Sequence, residues 1–333
     1  MVENKLMNED HHEGEHHTHG AIDATILTTD RGLWTVKWSF IGMFLTALLE
    51  LIVVFFTGSI SLLADSLHNF GDAATAIPLG AAFLLSKKKP TSQFTYGLGR
   101  AEDLAGLAII AIIAVSTAIA LYESINRFFH PIAVHNLWAV MIASIIGFIG
   151  NEAVATFRIK EGKKMGSAAL VADGHHARAD GFVSLAVFAG AVGVMLGFPF
   201  ADPLVGILII IPIGKMLWES SKTVMIRTLD GVDTDYMHEV KEAVEHCPQV
   251  ESVSDVKLRW LGHKMHAEVS VAVNSSLSVE QGHTIGSEVR HQLLHHLKYL
   301  ADATIHVDPS NASGSEFHRI REHSHGNFAI HSH

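Results

Sequence analysis

The chain has 333 residues, 48% of them hydrophobic and only 17% charged, where an ordinary soluble protein carries about 25% charged residues; with a mean hydropathy of +0.27, this argues against a purely soluble globule. A formal net charge of −10 argues against a basic nucleic-acid-binding surface, and 24 histidines against the single Cys247 point to imidazole rather than thiolate or disulfide chemistry. The first twenty residues are polar and acidic, so no secretory signal is expected.

Residues 1–32 hold His11, His12, His16, His17 and His19 among Glu, Asp and Gly, too polar to build a core, and are expected to form a disordered cytosolic tail. Six apolar stretches follow, at 38–57, 60–85, 101–124, 137–157, 168–196 and 201–220, each long enough for the ~20 residues that a bilayer demands. They predict a multi-pass membrane domain of six transmembrane helices over 33–225. Lys87, Lys88, Lys89 and Arg100 after the second stretch, and Arg158, Lys160, Lys163 and Lys164 after the fourth, face only Arg127 in the opposite loops. The bias places both termini in the cytoplasm.

After residue 225 the pattern becomes that of a small soluble domain, 226–310. A helix is expected at 233–246, strands at 250–260 and 264–273, a helix at 278–296 and a last strand at 303–307. The order αββαβ suits one antiparallel or mixed sheet covered on one face by two helices, a ferredoxin-like α+β arrangement. Residues 311–333, with His318, His323, His325, His331 and His333, read as a second disordered tail.

Two stretches carry the same pattern, L-x-A-D-x-x-H-x-x-x-D: Leu62 to Asp72 in the second and Leu170 to Asp180 in the fifth. Residues i and i+4 share a helix face, so His68 with Asp72, and His176 with Asp180, each present a nitrogen and an oxygen in one direction. Both pairs fall near the bilayer midplane, where an ionised Asp costs about 2.5–3.5 kcal/mol, so bland packing explains them poorly. Two imidazoles and two carboxylates in tetrahedral array suit Zn²⁺, with Co²⁺ or Fe²⁺ possible and Cd²⁺ less favoured. Asp65 and Asp173, three residues before each histidine, either orient the imidazole or ligate the ion directly.

These residues resemble the cation diffusion facilitator family of zinc and related divalent-metal transporters, over about residues 33–310. The resemblance implies a non-enzymatic homodimer that exchanges metal for protons, with the ion held by His68, Asp72, His176 and Asp180, as in the zinc-preferring branch. It also implies zinc sites at the dimer interface of the cytosolic domain. His283, His306 and Asp308 match those positions, while Ser270 stands where many members have a histidine and His266 and His263 lie upstream. Arg100 and Asp230 resemble the family's charge interlock below the membrane. A His–carboxylate site must lose protons to bind metal, so alternating access with an inward proton gradient exports the metal. The expected location is the bacterial inner membrane.

Glu50 in the first stretch and Lys215 in the sixth are further intramembrane ionisable groups, for which helix-end or partner pairing is expected ahead of a proton path. Two rival readings exist. His12-Glu13-Gly14-Glu15-His16 matches the H-E-x-x-H of zinc hydrolases and would make the chain a membrane metalloprotease, but a Gly-containing polar tail provides no helix to present it; weak zinc capture or buffering, or plain solubility, suits both tails better. A metal-gated sensor or channel is the other, although a sensor needs no ligands deep in the bilayer.

Overall fold

The computed structural model describes residues 24–57, 70–73, 76–130, 136–198, 200–314 and 317. Five of its helices are long and apolar enough to cross a membrane: α1 (Ala24–Thr57), α3 (Arg100–Phe129), α4 (Leu137–Met165), α5 (Ala168–Met195) and α6 (Ala201–Thr228). Between α1 and α3 lies the shorter apolar helix Phe70–Ser86, of which Ala76–Ser86 is α2. Helix α1 begins at Ala24, inside the segment whose composition reads as tail.

Apolar side chains such as Phe55, Leu104, Ile149, Ile211 and Trp218 are exposed on these helices, as a lipid-facing surface requires. Several polar side chains within the bundle are satisfied locally: Thr46 donates to the Gly42 carbonyl, Thr117 to Ile113 and Ser144 to Val140. Helices α4 and α5 pack against each other and are joined by only Gly166 and Ser167. Gly166 caps α4 in the left-handed region (φ 74°), which favours glycine. Ser167 caps α5 by accepting from the Leu170 amide.

The cytosolic portion follows the order α7 (Thr234–Glu245), β1 (Val250–Leu261), β2 (Lys264–Val273), α8 (Val279–His296) and β3 (Leu300–Pro309), which is the expected αββαβ. Its sheet is mixed, in the order β1-β2-β3, with β1 antiparallel and β3 parallel to β2. Val240 and Val244 of α7 and Ile285, Val289 and Leu293 of α8 bury against Trp260, Met265, Val269 and Val271 of the sheet. Ser278 starts α8 with a reciprocal cap to Gln281.

Candidate metal centre

The turn of helix before α2 and the middle of α5 bring Asp72, His176 and Asp180 together. One ligand atom from each lies within 4.8 Å of the others. His176 Nε2 is 3.4 Å from Asp72 Oδ1, and Nδ1 is 3.6 Å from Asp180 Oδ2. Neither ring nitrogen makes a hydrogen bond with a described residue, although His176 is buried. An ion about 2.0–2.2 Å from each of its tetrahedral ligands sets them about 3.3–3.6 Å apart, so a contraction of about 1 Å turns the cluster into a coordination shell. His68 and Asp65 lie outside the described residues, as do the His-rich tails.

Asp173 is wholly buried one helical turn from His176 and pairs with Arg158 of α4, Arg158 Nη1 to Asp173 Oδ2, at 3.0 Å. Arg158 Nε and Nη2 make no hydrogen bond among the described residues. The sequence pattern counts Arg158 as a cation of the loop after the fourth stretch; the structure corrects this, because α4 continues to Met165 and buries Arg158 within it. Arg178 and Glu152 join the same two helices through two bonds of 2.7 and 3.0 Å. Glu50 is buried in α1, where a Cβ added to Gly147 would lie 2.5 Å from its Oε1 and 2.9 Å from Ser184 Oγ. Lys215 is exposed on α6, 3.9 Å from Glu219.

In the cytosolic portion, His306 and Asp308 lie two apart on β3, and His306 Nε2 is 2.8 Å from Asp308 Oδ1. His283 is exposed on the first turns of α8. Among the described residues no cluster of three possible metal ligands besides that of Asp72, His176 and Asp180 comes this close, so these three do not converge within one protomer. Burial lowers the pKa of His266 below the ordinary imidazole value, and its ring stands edge-on to Tyr96. His263 is buried away from solvent, its Nδ1 2.7 Å from Glu102 Oε2 and its Nε2 3.0 Å from Thr29 Oγ1. Arg100 pairs with Asp230 and also donates to the Thr228 carbonyl at 3.2 Å, tying the start of α3 to the turn after α6.

Reasoning from sequence misses two features, the partner of Asp173 and the carboxylate beneath His263. Arg158, flanked by apolar residues eight positions after Gly150, and Glu102, at the very start of an apolar run, were the available signals.

Comparisons with known proteins agree with this architecture. The profile of the cation efflux transmembrane domain matches residues 36–225, and that of the cation efflux protein cytoplasmic domain matches 232–310. The chain is 45% identical over 302 residues to "Probable cation efflux system protein Rv2025c" of Mycobacterium tuberculosis, covering 90% of this chain and 91% of that protein. It is 26% identical over 254 residues to the manganese efflux system protein MneP of Bacillus subtilis, covering 74% and 85%. It is 22% identical over 282 residues to the magnetosome protein MamB of Paramagnetospirillum magneticum, covering 84% and 95%. With a membrane domain and a cytoplasmic domain that both match in this order, the chain belongs to the cation diffusion facilitator family of cation efflux transporters.

Proposed function

We propose that the chain exports a divalent cation, zinc foremost, from the cytoplasm in exchange for protons, through Asp72, His176 and Asp180 with His68 as fourth ligand. The observation that carries this reading is the cluster of one buried imidazole and two largely buried carboxylates, held by α5, which is long and apolar enough to cross a membrane, and by the shorter apolar helix Phe70–Ser86. Keeping such groups in apolar surroundings is costly unless they are paired or bind an ion.

Mechanism follows from the ligands. Each must be deprotonated to coordinate metal, so protons and metal compete for the same lone pairs. Metal loads from the cytoplasm, the helices rearrange, and protons arriving from outside displace it. Imidazole nitrogen favours zinc, cobalt or ferrous iron over manganese, whose preference is for oxygen ligands. Arg158 holds Asp173, and through it the stretch of α5 that leads to His176.

The protein works as a homodimer in the bacterial inner membrane, both termini in the cytoplasm. The membrane domain takes in α1 from Ala24 and runs to 225, and the cytosolic domain spans 226–310. A structural zinc at the dimer interface would be held by His283, His306 and Asp308; the exposed His306 and the buried Asp308 beside it offer two donors on one side of β3. Both nitrogens of His263 already face Glu102 and Thr29, so it is left out of that set, and so is His266, which packs on Tyr96.

The test is metal uptake into proteoliposomes under an imposed pH gradient, comparing Zn²⁺, Cd²⁺, Co²⁺, Fe²⁺ and Mn²⁺ in the wild type and Asp180→Ala. Zinc flux that tracks the gradient and vanishes in the variant is the expected result. Flux indifferent to pH, or preserved in the variant, returns the channel or sensor reading.

A further inference from the structure

The turn between β1 and β2 is driven into the base of the membrane domain. The side chains of His263 and Glu102 are each only 1% exposed, and the Phe83 ring of α2 lies 5.8 Å from the imidazole. Gly262 donates its amide to Asp103 Oδ2 at 3.2 Å. It adopts φ +65°, and a Cβ there would lie 2.7 Å from the Gly99 carbonyl oxygen and 2.8 Å from Glu102 Oε2, so only glycine fits.

The other carboxylate oxygen of Glu102 accepts from Ser167 Oγ at 2.5 Å, and the same hydroxyl caps α5 at the Leu170 amide. One hydrogen-bonded chain therefore runs from Thr29 of α1 through His263 and Glu102 to the first turn of the helix that carries His176 and Asp180. Trp260 and Tyr299 already press on the α4–α5 turn: a Cβ at Gly166 would meet them at 3.3 and 2.9 Å, and the Tyr299 hydroxyl donates to the Lys163 carbonyl at 2.9 Å. Docking alone is served by those aromatic contacts. A buried carboxylate costs far more to keep unless its partners are held in place.

We propose that Glu102 and His263 are positioning residues that couple the cytosolic domain to α5, so that a displacement of the β1–β2 turn is carried through Ser167 to the helix holding the transport ligands. The coupling rests on the reading that α5 carries the transported ion. The Arg100–Asp230 pair, half exposed on both sides, is a looser link beside it.

The test uses the full-length protein in nanodiscs and follows backbone hydrogen exchange at 168–172 and 261–266 on adding Zn²⁺, in an Asp180→Ala background where the membrane site is broken. Zinc bound to the cytosolic domain changes exchange in both segments, and adding Glu102→Ala or Ser167→Ala confines the change to 261–266. Ser167→Ala removes the link without uncovering the buried carboxylate, so it stands even where Glu102→Ala does not fold. In proteoliposomes with Asp180 intact, both variants lower maximal zinc flux about 2- to 30-fold with the half-saturating concentration unchanged. Glu102→Gln, which keeps an acceptor, recovers part of the loss. No change at 168–172 in the Asp180→Ala protein, a change that persists without Glu102 or Ser167, or a loss of flux entirely through weaker half-saturation overturns the proposal. Wild-type flux in Asp180→Ala overturns the transport site instead and leaves the exchange result standing.

Discussion

The protein holds the same pair of groups, an imidazole and an aspartate, twice, with the aspartates buried alike and the imidazoles in opposite settings. His176 with Asp72 and Asp180 lies among apolar helices with its imidazole only 2% exposed. His306 with Asp308 stands on β3 with the histidine 57% exposed, where water satisfies the ring at little cost. The first setting makes vacancy expensive and occupancy by a cation or protons favourable. The second leaves its imidazole open to water, and only the buried Asp308 depends on a partner. On the proposed reading, environment more than ligand chemistry separates the two sites.

Breaking the buried member has the largest expected effect. Asp72→Ala or Asp180→Ala is expected to reduce zinc flux by more than about 100-fold, beyond the 10- to 100-fold typical of groups behind the ligands, while size-exclusion chromatography still reports the dimer. Residual wild-type flux sinks the proposed site. Next comes Arg158→Gln, which removes the cation facing buried Asp173 and is expected to destabilise the membrane domain by about 3–5 kcal/mol, whereas Arg158→Met with Asp173→Leu is far milder because both charges leave together. Thermal unfolding in detergent checks both, and a double variant as damaged as the single would mean that the pair does more than compensate charge.

The exposed member gives smaller effects. His306→Ala is expected to weaken zinc binding by the isolated dimer interface while leaving zinc binding at the membrane site intact; loss at both sites would erase the contrast between them. Arg100→Gln is expected to cost no more than about 1 kcal/mol, since half-exposed ion pairs are screened. Glu13→Gln is expected to leave zinc flux unchanged, and a lost activity there would revive the hydrolase reading of the tail.

Periodicity and length make the helices and the αββαβ order legible from sequence, because each element records its own burial pattern. The repeated L-x-A-D-x-x-H-x-x-x-D likewise names Asp72, His176 and Asp180, which the structure gathers into one cluster. Pairings between distant elements leave no such trace. Nothing local distinguishes Arg158 inside α4 from a cation at a helix end, and its partner lies on the next helix. His263 stands beside a strand with His266 and reads with it, yet a glycine at positive φ turns it into the membrane domain. Helix α1 starts early because its first turns, though polar, pack on other elements: Arg31 donates to Glu161 at 2.7 Å, and Thr29 contacts His263.

The two-residue connection between α4 and α5, together with Arg158–Asp173 and Arg178–Glu152 along their length, makes the helix pair a stiff lever pivoted at Gly166. His176 lies nine residues beyond Ser167, about 13 Å at 1.5 Å per residue, so a tilt of ~10° at the pivot sweeps the imidazole about 2 Å. Metal coordination tolerates departures of only about 0.2 Å. If His176 ligates the transported ion as proposed, a rotation too small to repack the bundle would be enough to seat or unseat it.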